Sequence, residues 1–111
     1  MITPTAATRI FVALAPMDLR QSFNGLCAWV QESLRQDPLS AHLFLFTNKH
    51  RNRLKALYWD GSGLWVSAKR LERGKFSWPQ GEGLQATLRA EELNALINGL
   101  EIRARKDWQR S

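Results

Sequence analysis

The sequence predicts an α+β fold. A single domain, with a mostly antiparallel β-sheet, packs against a long helix in its N-terminal half and ends in a short C-terminal helix. Three observations carry this reading. "RIFVALA" (9–15) and "HLFLFTN" (42–48) are apolar on both faces, the pattern of strands with no solvent side. Between them, apolar residues recur at helical spacing. After them, two strand-like segments are joined through "DGSG", whose glycines tolerate the positive φ of tight hairpin turns.

The elements follow the order β-α-β-β-β-(β)-α. The first strand stops at Pro16, and Asp18 is placed to cap the next helix, its carboxylate accepting from the first free N–H groups. Leu19, Phe23, Leu26, Cys27, Val30 and Leu34 then form one apolar stripe, with Arg20, Asn24, Gln31 and Arg35 turned to solvent. Gly25 within this helix costs about 1 kcal/mol relative to alanine, which implies close packing at that point. "QDP" (36–38) ends it. The strand 42–48 is a candidate for the sheet centre. Strands 53–59 and 64–69 form the hairpin, and "GLQATL" (83–88) is a weaker strand. Leu93, Leu96, Ile97 and Leu100 mark the short final helix, with Thr87 near its cap. The domain is expected to span residues 1–102, and 103–111 to be a mobile basic tail.

A chain of 111 residues with 44% hydrophobic content is the size of one globular domain. No apolar run approaches the roughly 20 residues that span a bilayer, and no charged segment precedes the longest one, so neither membrane nor secretion is expected. The single cysteine, Cys27, lies on the apolar stripe and suits a reducing cytoplasm as buried filler. The net charge of +6 is confined to one region: residues 1–46 and 77–111 are each neutral. The excess sits in 47–76, where Lys49, Arg51, Arg53, Lys55, Lys69, Arg70, Arg73 and Lys75 face only Asp60 and Glu72. A localised excess of this kind points to a polyanionic partner.

Catalytic groupings are scarce. His42 opens an apolar strand and reads as a structural, hydrogen-bonded residue; His50 belongs to a solvated loop. Two histidines and one cysteine give no zinc spacing, no phosphate-cradling glycine loop occurs, and no nucleophile–base–acid set can be assembled. No catalytic residue, metal or cofactor is assigned. In an antiparallel pair the start of one strand lies beside the end of the next. Arg53 and Lys55 should therefore approach Lys69 and Arg70, away from the turn. Each tryptophan is expected first to pack in the fold; Trp65 and Trp78 are the candidate stacking or partner anchors, with Trp108 in the tail. Whether Trp65 shares a face with Tyr58 or with Trp59 depends on the length of the turn, because a slip of one residue inverts the faces.

The chain resembles the small accessory proteins of the insertion-sequence-sixty-six group of bacterial transposable elements (the Orf2-like TnpB family, unrelated to the RNA-guided nuclease of that label). The resemblance rests on "DLRQSFNGL" (18–26), "DPLSAHLFLF" (37–46), "RLKALYWDGSGLW" (53–65) and, most specifically, "KRLERGKFSWP" (69–79). Two features depart from the family pattern. Arg51-Asn52 stands where a Gly-Asp-like pair is usual, and Ile102-Arg103 replaces a Trp-Arg near the end of the last helix. The resemblance implies a non-catalytic partner of the element's larger transposase, required for efficient transposition.

Charge and resemblance together give the leading expectation. It is an accessory module that binds DNA phosphates through the eight bases named above and helps assemble a transposase–DNA complex. A second reading is an adaptor that holds the transposase without touching DNA. A third, a metal-dependent nuclease, would need acids such as Asp18 or Asp60 gathered around Mg²⁺. Nothing in the sequence sets an oligomeric state.

Overall fold

The computed structural model describes residues 8–99. In chain order the elements are β1 (Ile10–Ala13), α1 (Phe23–Glu32), β2 (Leu43–Thr47), β3 (Arg53–Trp59), β4 (Leu64–Arg70), β5 (Gln85–Leu88) and α2 (Ala90–Ile97). The sheet itself runs β4-β3-β2-β1-β5. Chain order is thus not spatial order, since the last strand returns to the outer side of the first. Only β1 and β2 are parallel, and every other neighbouring pair is antiparallel.

The two-sided apolar runs occupy the interior of the sheet because both of its faces are covered. Every residue of β1 and β2 is buried. Alternation along the strands sends Phe11, Ala13, Phe44, Phe46 and Leu57 to one side, where they meet Leu26 and Val30 of α1. Phe11 and Phe44, paired across β1 and β2, stack with ring centroids 5.5 Å apart. The other side carries Ile10, Val12, Leu43, Leu45, Leu54, Ala56, Ala86 and Leu88, packed against Leu93 and Leu96 of α2 and against Phe76 and Trp78. The molecule is therefore three-layered, with α1 on one face and α2 plus the 71–79 segment on the other.

The long helix is corrected to ten residues. It begins at Phe23 behind Ser22, not at Asp18. Asp18 instead accepts the backbone N–H of Arg20 at 2.9 Å and its guanidinium at 2.6–3.0 Å. That local turn satisfies the carboxylate within two residues and so competes with helix initiation. Leu19 and Leu34 flank the helix and still reach the same core, which is why the stripe looked continuous. The helix stops four residues short of "QDP": Arg35 takes a left-handed φ of 57°, and Gln36 N–H returns to the Val30 carbonyl. The close neighbour implied at Gly25 is the Gln21 side chain, which a Cβ there would strike. Cys27 is half-buried against this core, and desolvation pushes its thiol pKa up.

The hairpin register is now fixed. Tyr58 pairs with Trp65 and Trp59 with Leu64, so Trp65 shares a face with Tyr58. Asp60 sets the turn: its Oδ1 accepts from the N–H groups of Ser62 and Gly63 and from the Ser62 hydroxyl. Its Oδ2 accepts the Trp65 indole N–H at 2.8 Å. Thr87 is a residue of β5 and does not cap α2. The N-cap is Arg89, whose N–H donates to Oε1 of the buried Glu92 at 2.8 Å. Leu100, the expected tail 103–111 and Trp108 lie outside the described residues.

Candidate nucleic-acid interface

The basic loop between β2 and β3 is closed by polar side chains, not by apolar packing. Asn48 Oδ1 accepts the N–H groups of Asn52 and Arg53, each at 3.1 Å, while its amide donates to Asn52 Oδ1 at 2.7 Å. The Thr47 hydroxyl donates to the Arg53 carbonyl at 2.7 Å. Arg51 completes the turn with a left-handed φ of 55°. The segment after β4 is laced to this loop, with Leu71 N–H donating to the Asn52 carbonyl and Phe76 N–H to the Arg51 carbonyl. Lys49 and His50 are left exposed at the tip.

An open cleft of about 880 Å³ lies between this loop and the turn that leads into α1. Lys49, His50, Arg53 and Lys55 line one side; Met17, Leu19 and the Asp18–Arg20 pair line the other. A smaller cleft of about 380 Å³ continues it, sharing Leu19, Arg53 and Lys55 and adding Lys69, Arg70 and Glu72. The sheet explains this gathering. Arg53, Lys55 and Leu57 share the α1 face of β3, and Arg53 is directly opposite Arg70 on β4. Two like charges opposed in a ladder are unfavourable unless something compensates. Arg70 is compensated by Glu72 at 3.1 Å, and Lys55 donates to the Gln21 carbonyl at 2.7 Å. Arg20 neutralises Asp18, whose carboxyl its hydrogen bonds hold at about 2. Among the described residues, Lys49, Arg53, Lys55 and Lys69 form no ion pair with a carboxylate, although Lys55 is near enough to Asp18 to help hold its carboxyl down.

Five of the eight expected bases therefore line this surface: Lys49, Arg53, Lys55, Lys69 and Arg70. Lys69 does so only in part. It is paired with Leu54, on the opposite face from Arg53, and its ammonium donates to the Ile97 carbonyl at the end of α2, 2.8 Å away. Arg51, Arg73 and Lys75 line neither cleft. Sequence reasoning missed Arg20, which was assigned to the solvent side of a helix; the signal was the Asp-x-Arg spacing of a local turn. It also missed His50 as a lining residue.

The aromatic anchors do not join this surface. Trp78 is buried, at 5% exposure, and its indole N–H donates to the Ala13 carbonyl at 2.8 Å, so it is a core residue. Trp65 is exposed, at 53%, but lies near the turn end of a seven-residue ladder, about 17 Å along the strand from Arg53 and Arg70, and on the α2 side. The acids of the nuclease reading are likewise separated. Asp18 borders the cleft, while Asp60 sits at the hairpin tip. There the N–H of Ser62 and the Trp65 indole hold the Asp60 carboxyl far below the usual range. Among the described residues, no three His, Cys, Asp or Glu side chains cluster as a metal site. His42 is structural, its Nδ1 accepting from Arg9 N–H at 3.1 Å and its ring meeting Phe11 edge-on.

A family model described as "IS66 Orf2 like protein" matches residues 8–107. The chain belongs to the IS66 Orf2-like family. Membership points to a transposition-associated accessory protein. Among relatives, uncharacterized protein y4jC of Sinorhizobium fredii is 41% identical over 110 residues, covering 99% of this chain and 89% of the relative. Uncharacterized protein y4hO of the same organism is 36% identical over 95 residues, covering 86% and 83%. No solved structure matches the chain. Arg51 takes the left-handed φ that glycine adopts without a steric penalty.

Proposed function

We propose that this IS66 Orf2-like protein is a non-catalytic accessory of its element's transposition machinery. It binds DNA phosphates at the cleft between residues 16–20 and 48–55 and helps bring DNA and transposase together. The observation that carries the proposal is the convergence of Lys49, Arg53 and Lys55, with Arg70 beside them, on one concave surface of a chain whose segments 1–46 and 77–111 are each neutral. Phosphate contacts of this kind supply affinity and orientation with little sequence readout. Arg20 is a reserve donor, since a phosphate can take over part of the fork it now offers to Asp18.

A mobility-shift titration of duplex DNA against salt tests the reading. Four phosphate contacts give a slope of log K on log[salt] of about −3.6. Charge reversal at Arg53 and Lys55 together should abolish the shift, with the circular dichroism spectrum unchanged. A slope near zero would refute DNA binding and leave the adaptor reading, in which the chain holds the transposase alone.

A further inference from the structure

We propose that β4 is an interface for a second copy of this chain, the two strands pairing antiparallel about a two-fold axis at Ser67. β4 is one edge of the sheet, seven residues long and in unbroken register with β3. It contains no proline, and Trp65 and Ser67 to Arg70 are exposed. The opposite edge, β5, is four residues long and largely buried. An exposed, regular edge is a template for another strand, and proteins usually blunt one with outward-pointing charge. Here the two charges on the strand are drawn away from the edge. Lys69 reaches back over the sheet to the Ile97 carbonyl, and Arg70 is held by Glu72.

The sequence of β4 is complementary to itself in this register. Pairing about Ser67 overlaps all seven residues and sets Trp65 opposite Lys69 of the second copy, Leu64 opposite Arg70, and Val66 opposite Ala68. Each exposed indole then lies beside the aliphatic stem of Lys69 in the second copy, an apolar cross-strand pair. The indole is already fixed on its own strand by Asp60. Moving the axis to Lys69 would oppose like charges, which disfavours that register. Ser67 and Ala68 are small enough to let the backbones approach. The joined sheet also keeps both α2 faces on one side. Each copy's apolar groove between β4 and α2, about 540 Å³ and lined by Leu54, Ala56, Leu93 and Ile97, then borders the axis. This inference does not depend on the DNA reading.

Sedimentation equilibrium across a concentration series should show the mass doubling for the native chain and staying monomeric for Ser67→Lys, which opposes two ammonium groups at the axis on an exposed site. In a Cys27→Ala background, Ser67→Cys should form a disulfide-linked dimer under mild oxidation, since directly paired residues lie about 4.5–5.5 Å apart, within disulfide reach. Ala68→Cys, offset from its own copy across the axis, should not. A chain that stays monomeric to its solubility limit would overturn the proposal. So would a dimer that survives Ser67→Lys and fails to cross-link through position 67, because its interface would then lie elsewhere.

Discussion

Replacing Trp78 tests whether that ring is a foundation of the sheet or a partner's handle. Its indole is buried in the core cluster on the α2 side of the sheet, and its N–H donates to the Ala13 carbonyl. Trp78→Ala removes the ring and the hydrogen bond together, at a cost of about 3–5 kcal/mol. Small domains hold roughly 5–15 kcal/mol in all, so this variant should lose from about a fifth to all of its stability. Trp78→Phe keeps most of the apolar contact and loses the N–H donor. Its cost is about 1–3 kcal/mol, and Tm should fall by about 4–8 °C for each kcal/mol in a domain of this size. Urea melts followed by circular dichroism report the loss, and DNA affinity measured on the folded fraction should be unchanged. A Trp78→Phe variant with native stability and abolished binding would refute the core assignment.

Other outcomes follow from the same geometry. Arg53→Ala should weaken DNA binding uniformly across sequences and make the salt slope shallower by about one, as loss of one phosphate contact does; an unchanged slope would remove Arg53 from the interface. Arg51→Gly relieves a left-handed φ that costs a side-chain-bearing residue about 1–2 kcal/mol. Part of that is offset by the greater freedom of glycine when unfolded, so Tm should rise by a few degrees (about 4–8 °C per kcal/mol), with the salt slope preserved because Arg51 lines neither cleft. The Asp18 carboxyl should titrate near 2 by carbon NMR in the native chain and rise only part of the way toward 3.8 in Arg20→Gln, which keeps the backbone N–H bond to Asp18. Because its folded pKa is depressed, the pair's contribution to stability is complete above about 4 and is lost as pH falls through 2. The acid limb of the stability curve should therefore flatten in that window in Arg20→Gln, measured by urea melts.

What the sequence conveyed best was burial. "IFVA" and "LFLF" are apolar without interruption because β1 and β2 have neighbours on both edges and cover on both faces, a property read residue by residue. Helix limits were harder. Asp18 has the chemistry of a cap, and only the three-dimensional reach of Arg20 decides that it serves a turn instead. The hairpin's faces hung on the four residues between Trp59 and Leu64, where one more or one fewer would have turned Trp65 to the other side. Trp78 could not be placed from its neighbours at all. It follows an exposed basic loop, and its partner is a backbone carbonyl 65 residues away. For the candidate site, the charge excess marked the region where the cleft lies, while the fold sorted the bases. Strand alternation sends Arg53 and Lys55 to one face and Lys69 to the other.

The return of β5 to the outer side of β1 has a consequence for how the chain is made. On the ribosome the β3–β4 hairpin, and with it Arg53, Lys55 and Arg70, can form from contacts close in sequence as soon as it emerges. β1, synthesised first, cannot complete its hydrogen bonding until Gln85–Leu88 appear, and one of its faces stays bare until Phe76, Trp78 and α2 arrive. At about 5–20 residues per second, the oldest strand of the sheet spends several seconds with an open apolar edge. The hairpin bases are thus among the first parts of the nascent protein to take shape, and β1, one strand in from the far edge of the sheet, is among the last to be sealed.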